Sequence, residues 1–196
     1  MNLANKLTVS RIVLTFAFMF FLFSKGLAAK SMALATFVVA SATDVLDGFI
    51  AKTRNQITDF GKLMDPIADK VLVLSAFLAF VEMDIIPAWM VLIIIFREAV
   101  VTGLRLMALN KGKVISADKI GKHKTVWQVI SIFVILLFLV TKELGQTVFH
   151  FWNEKTENTA SEAIFILMCI TIVLTLASGI AYLVKNKEVY SNAKTS

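Results

Sequence analysis

The chain has 196 residues, 58% of them hydrophobic, with a mean hydropathy of +0.78 and a formal net charge of +6. A soluble domain is about half apolar. Here the excess is gathered in blocks that can cross a hydrocarbon core about 30 Å thick, which takes about 20 helical residues, so an ordinary soluble domain is excluded. One cysteine, Cys169, rules out an intrachain disulfide.

Six membrane-spanning helices are predicted, at about 7–24, 31–53, 63–83, 87–109, 123–141 and 161–184, in an all-α bundle with a short N-terminal interfacial segment. The first block is not read as a cleaved signal, because no A-x-A-like site follows it and similar blocks recur to the C-terminus. It opens with Thr8 and Arg11, at an interfacial helix start. The second span is the least apolar and ends in Asp44, Asp47, Gly48, Ala51 and Lys52. A short polar connection, 52–62, carries Asp59, read as a loop or capping residue, and leads to Gly61, Asp65 and Asp69. Pro66 near the start of the third span and Pro87 at the start of the fourth stand where a missing N–H costs little. The fourth span holds Arg97 and Arg105, with Gly103 a candidate for close helix packing. Lys122, His123 and Lys124 lead into the fifth. Phe16, Phe20 and Trp127 read as lipid-facing or core residues. The other polar connections are 110–122 and 142–160, and no linker or repeat divides residues 1–196, which read as one domain.

Charge sets the orientation. Of the 20 lysines and arginines, all but Lys25, Lys30, Lys142 and Lys155 fall on the side that holds both termini and the connections after spans two and four. That side is expected to be cytoplasmic, in a multi-pass protein of a cell membrane.

The aspartates need an explanation. Asp44 and Asp47 are three apart, and Asp65 and Asp69 four apart, so each pair shares a helix face. The short link makes spans two and three antiparallel neighbours, and the four carboxylates converge near the cytoplasmic boundary. Unaided, they would repel and protonate. Hard oxygen ligands from two helices suit Mg²⁺ or Mn²⁺, and four carboxylates are enough for two ions, an arrangement that can clamp both oxygens of a phosphoryl displacement. Gly48, Gly61 and Ala51 leave room for a ligand. Arg97 and Arg105 are eight apart, so they project towards nearly one face. Intramembrane arginines whose forks suit phosphate mark a second anion site. The plainer alternative pairs Arg97 with Glu98 or a motif aspartate and lets Arg105 snorkel to water.

These residues carry a resemblance. The pattern D-x2-D-G-x2-A-R-x8-G-x3-D-x3-D marks the CDP-alcohol phosphotransferases, and here it reads Asp44, Asp47, Gly48, Ala51, Lys52, Gly61, Asp65 and Asp69 with every spacing kept. Lys52 stands where the family has arginine; it keeps the charge and loses the two-pronged donor. The opening NLANKLTVSR, with Ala4 in place of a proline, and the runs DPIADK, FREAVVTGLRLMA and GKHKT are similar to segments of bacterial phosphatidylglycerophosphate synthases. The likeness extends to about residue 130; the remainder matches in hydropathy alone.

The resemblance implies transfer of a phosphatidyl group from CDP-diacylglycerol to sn-glycerol 3-phosphate, giving phosphatidylglycerol phosphate and CMP. It implies two divalent cations, Mg²⁺ or Mn²⁺, on Asp44, Asp47, Asp65 and Asp69, with Asp69 also the base for the acceptor hydroxyl. Gly48, Ala51, Lys52, Gly61 and Thr8 would bind the CDP donor, and Arg97, Arg105 and Lys122 the acceptor phosphate. A homodimer in the bacterial inner membrane is expected, with no nucleic-acid partner. Rival readings are a sibling enzyme with another acceptor (inositol phosphate or phosphatidylglycerol), a divalent-cation transporter and a metal-stabilised scaffold.

Overall fold

The computed structural model describes the backbone of residues 3–54, 59–110, 119–150 and 152–191, and the side chains of 9–43, 70–109, 124–150 and 152–190. The described residues are all-helical, with no strand among them: α1 (Leu3–Phe23), α2 (Leu27–Arg54), α3 (Asp59–Glu82), α4 (Ala88–Asn110), α5 (Lys119–Thr147), α6 (Glu154–Lys185) and a short α7 (Lys187–Ser191).

The α1–α2 turn is made by Gly26, whose φ of +93° lies in the region that costs glycine nothing. Lys30, buried at the start of α2, donates its Nζ proton to the Leu22 carbonyl at 2.5 Å, satisfying an orphan acceptor at the end of α1. The helices then run antiparallel, with the Phe18 and Phe37 rings 5.8 Å apart. Arg11, Thr15, Phe18 and Leu22 recur at helical spacing and form the buried stripe of α1, whereas Val13, Phe16 and Phe20 face outwards, the two phenylalanines 72% and 70% exposed. Ala33, Phe37 and Ala40 make the matching stripe of α2, and Ala76 and Ala79 put small residues on the buried side of α3. Lipid tails are as apolar as leucine, so close backbone approach at such residues, more than a hydrophobic drive, holds helices together in a membrane.

α1 packs along α2 and α3, α2 also meets α5, α5 pairs with α6, and α6 and α7 lie against α4. One apolar core runs through all six long helices, from Phe18 and Phe37 through Phe77, Phe80, Met90 and Ile94 to Ile132, Ile135 and Met168. The outer surface is apolar as well: Leu92, Phe96, Ile166, Val173, Ile180 and Val184 are all exposed. In water this would be an aggregation surface.

α5 over Lys124–Thr147 and α6 over Glu154–Lys185 are long and apolar enough to cross a membrane, and Val9–Phe23 and Leu27–Thr43 are shorter apolar stretches. α4 has the length but carries Arg97, Glu98 and Arg105.

Three expectations need correction. Most of 142–160, expected as a loop, is helix. α5 continues to Thr147, and α6 starts at Glu154, where the Asn153 side chain accepts from the Thr156 N–H at 2.9 Å and Glu154 and Glu157 suit the positive helix end. Lys142 bonds Glu157 at 2.5 Å and ties the two extensions together. Pro66 falls in the eighth position of α3, not its first turn, because the helix begins upstream at Asp59; the ladder there lacks one N–H, the partner of the Lys62 carbonyl. Gly103 is not a close-packing point, since a Cβ added there would meet nothing within 4 Å.

Candidate functional site

Chain alternation brings the polar functions to one end of the bundle. The turns at Gly26, at Asp84–Pro87 and around His150 lie at the other end. The shared end therefore collects the start of α1, the end of α2, the start of α3, the end of α4, the start of α5 and the end of α6.

α4 supplies the centre. Met90, Ile94, Arg97, Val101, Leu104 and Ala108 form its buried stripe, so Arg97 takes a core position and is only 7% exposed. Its Nη1 donates to Glu98 Oε1 at 3.1 Å and its Nη2 to Ser178 Oγ at 3.2 Å. The stem lies against Gly179, where an added Cβ would come within 2.9 Å of Arg97 Cγ. Glycine is needed at 179 for that contact. Glu98 also receives Lys124 Nζ on Oε1, and Lys70 Nζ stands 3.7 Å from its Oε2. Lys70 Nζ donates in addition to Thr102 Oγ1. Cations from α3, α4 and α5 thus meet on one carboxylate.

The predicted residues divide as follows. Arg97 is at the centre of this cluster, and the pair with Glu98 weighed as its alternative is formed. Arg105 is exposed, because eight residues leave about 80° of rotation between the two arginines. Lys122 lies outside the described side chains, whereas Lys124, two residues on, is buried. Arg11 is 2% exposed. Stepping seven residues back from Phe18 and seven on from Phe37 brings Arg11 level with backbone position 44 of α2.

Asp44, Asp47, Gly48, Ala51 and Lys52 stand on α2 and Gly61, Asp65 and Asp69 on α3, as helical positions. Their side chains, and that of Thr8, lie outside the described residues. Asp59 opens α3, where a carboxylate suits the helix dipole. Among the described residues no group of three or more histidines, cysteines or carboxylates is placed to hold a metal. The donor set on α2 and α3 does fit a divalent cation by its chemistry: four hard carboxylates at helical spacing, on two helices that both pack on α1. The described charges nearest that end are the cations Arg11, Lys70, Arg97 and Lys124, which cannot act as ligands, and Glu98, whose carboxylate is taken up by Lys70, Arg97 and Lys124.

Ser178, Gly179 and the hub role of Glu98 were not foreseen. The available signal was a Ser-Gly pair interrupting the large apolar residues of α6.

The family model for CDP-alcohol phosphatidyltransferase matches residues 1–187. A CDP-diacylglycerol–glycerol-3-phosphate 3-phosphatidyltransferase of Bacillus subtilis (strain 168) is 37% identical over 199 residues, covering 95% of this chain and 96% of the relative. A probable phosphatidylglycerophosphate synthase of Mycobacterium tuberculosis (strain ATCC 25618 / H37Rv) is 34% identical over 187 residues, covering 94% and 81%. A Rickettsia typhi protein with the same name as the Bacillus relative is 40% identical over 138 residues, covering 69% and 76%. A match of this extent, on a chain whose α2 and α3 carry the spaced aspartates, places the protein in the CDP-alcohol phosphatidyltransferase family.

Proposed function

We propose that the chain transfers the phosphatidyl group of CDP-diacylglycerol to sn-glycerol 3-phosphate, releasing CMP. The observation that carries this is the near end-to-end likeness to a relative named for that reaction. The chain acts as one domain of six membrane-crossing helices in the bacterial inner membrane, as a homodimer with both termini and the site on the cytoplasmic side. The exposed apolar belt and the gathering of charge at one end support that reading.

Asp44, Asp47, Asp65 and Asp69 would hold two Mg²⁺ or Mn²⁺ ions, which when bound neutralise the donor pyrophosphate. Gly48, Ala51, Lys52, Gly61 and Thr8 receive the cytidine diphosphate part. Arg97, Arg105 and Lys122 bind the acceptor phosphate, and the buried Lys124 joins them. Asp69 takes the proton of the acceptor 1-hydroxyl. That oxygen forms a bond to the β-phosphorus while the bond from β-phosphorus to the oxygen shared with CMP breaks, and CMP leaves with the electron pair. The lipid tails stay among the exposed apolar faces throughout.

The test is an acceptor panel: full-length protein, CDP-diacylglycerol, Mn²⁺ or Mg²⁺, and each of glycerol 3-phosphate, inositol phosphate and phosphatidylglycerol, with product lipids identified by mass. Phosphatidylglycerol phosphate as the dominant product is expected. Another dominant lipid would move the chain to a sibling activity, and no CMP release with any acceptor would overturn the enzyme reading.

The tight contact at Gly179 gives a second expectation. Gly179→Ala pushes on the Arg97 stem at 2.9 Å. Overpacking costs about 1–3 kcal/mol, so kcat/KM for glycerol 3-phosphate should fall about ten-fold. Wild-type kinetics in that variant would mean that the position of Arg97 does not matter to the acceptor.

A further inference from the structure

Arg97 Nε on α4, Gln128 Nε2 on α5 and Thr175 Oγ1 on α6 are buried without a protein partner. Their residues are 7%, 4% and 0% exposed, so bulk solvent does not serve them. Helix register brings them together. The Lys142–Glu157 pair, and the Ser131 and Thr171 hydroxyls 2.7 Å apart, set α5 and α6 antiparallel. Gln128 stands three residues before Ser131 and Thr175 four after Thr171, so the two are level, about 4.5–6 Å further along the seam. Gln128 also lies on the buried stripe of α5 between Ser131, which reaches α6, and Lys124, which reaches Glu98 on α4. Thr175 is one turn before Gly179, against which the Arg97 stem lies, and three residues before Ser178, which accepts from Arg97 Nη2.

Thr175 has a local partner within reach and does not use it. Thr15, Thr36, Ser131, Thr171 and Ser178 each bond a carbonyl three or four residues back in their own helix, a common arrangement for a hydroxyl inside a helix. The Thr171 carbonyl offers Thr175 the same bond, yet its hydroxyl is turned elsewhere. At membrane depth each orphaned polar group is costly. The guanidinium and amide nitrogens only donate, so they cannot satisfy one another, whereas the hydroxyl both donates and accepts. The missing partner must accept from two nitrogens, exchange a bond with a hydroxyl and fit a closed seam. An ion there would be stripped of its whole hydration shell, and Glu98 already supplies Arg97 with an anion. Water meets every condition, since a buried water makes about three such bonds.

We propose that the seam between α4, α5 and α6 is a water site, in which one ordered water bridges Arg97 Nε, Gln128 Nε2 and Thr175 Oγ1. The water ties the guanidinium to α5 and supplies the partner that its Nε lacks. This holds whatever substrate Arg97 meets.

The test has two parts, both on the full-length protein. The first is a crystal structure from a lipid mesophase, at a resolution that shows single waters, with bromide replacing chloride. A water within hydrogen-bond distance of at least two of the three atoms is expected. A direct Gln128–Thr175 bond, a dry seam, or an anomalous bromide peak there overturns the proposal. The second is the melting temperature of Gln128→Leu, Thr175→Val and the double variant. Each single change should lower it by about 2–4 °C, the scale of one lost buried hydrogen bond in a chain of this size. The double variant should lose less than the two losses added, because both changes release the same water. In a dry seam the apolar side chains would remove orphaned groups, so an unchanged or raised melting temperature in both single variants also overturns the proposal.

Discussion

Asp69→Asn is expected to lower turnover by about a hundred- to ten-thousand-fold, the usual contribution of a positioned general base. The amide keeps the shape and one ligand oxygen but cannot take a proton from the acceptor hydroxyl. The fold should survive the change. Position 69 is inside α3, and the next residue, Lys70, ties that helix to Thr102 and Glu98 on α4. Removing one of four like charges also relieves repulsion, so without metal the variant should melt no lower than wild type. The two roles given to Asp69 separate by titration. If it served as ligand alone, saturating Mn²⁺ would restore the rate; as base, its loss persists at any metal concentration. Near-normal turnover in Asp69→Asn at saturating Mn²⁺ would remove it as base, and near-normal turnover at limiting Mn²⁺ as well would remove it from both roles.

Hydropathy made the all-helical character legible, and with it the two helices, α5 and α6, that are long and apolar enough to cross a membrane. It did not reveal where each helix ends. α5 and α6 run on into polar residues beyond the apolar blocks, held by the Asn153 cap and the Lys142–Glu157 pair. The capping signal was present, as Asn153 followed by acidic residues at the first turn, but a hydropathy reading passes over it. The helical placement of the aspartate positions was legible because spacings of three and four have meaning on a helix. Contacts between helices were not. Ser178 lies eighty-one residues from Arg97, and nothing local to either predicts their bond. Lys124 shows how helix phase adds information. Lys124 falls in line with Gln128, Ser131 and Ile135, the buried stripe of α5, and so points inwards by the same periodicity that buries its neighbours.

Arg97→Gln should reduce kcat/KM for glycerol 3-phosphate by about a hundred- to a few-thousand-fold, because breaking a buried charged set costs about 3–5 kcal/mol and 1.4 kcal/mol is a factor of ten. The geometry explains so large an effect. Glu98 and Ser178 hold two nitrogens of the guanidinium, and Gly179 sets the line of the stem, so the side chain is fixed before any acceptor arrives. Little rotamer entropy remains to be lost on binding. Arg97→Lys keeps the charge but cannot span Glu98 and Ser178 with one ammonium group, and should fall between, near ten-fold below wild type. The decisive comparison is between substrates. A loss confined to glycerol 3-phosphate, with KM for CDP-diacylglycerol unmoved, assigns Arg97 to the acceptor, whereas a loss that appears in the donor KM would put it on the cytidine diphosphate side.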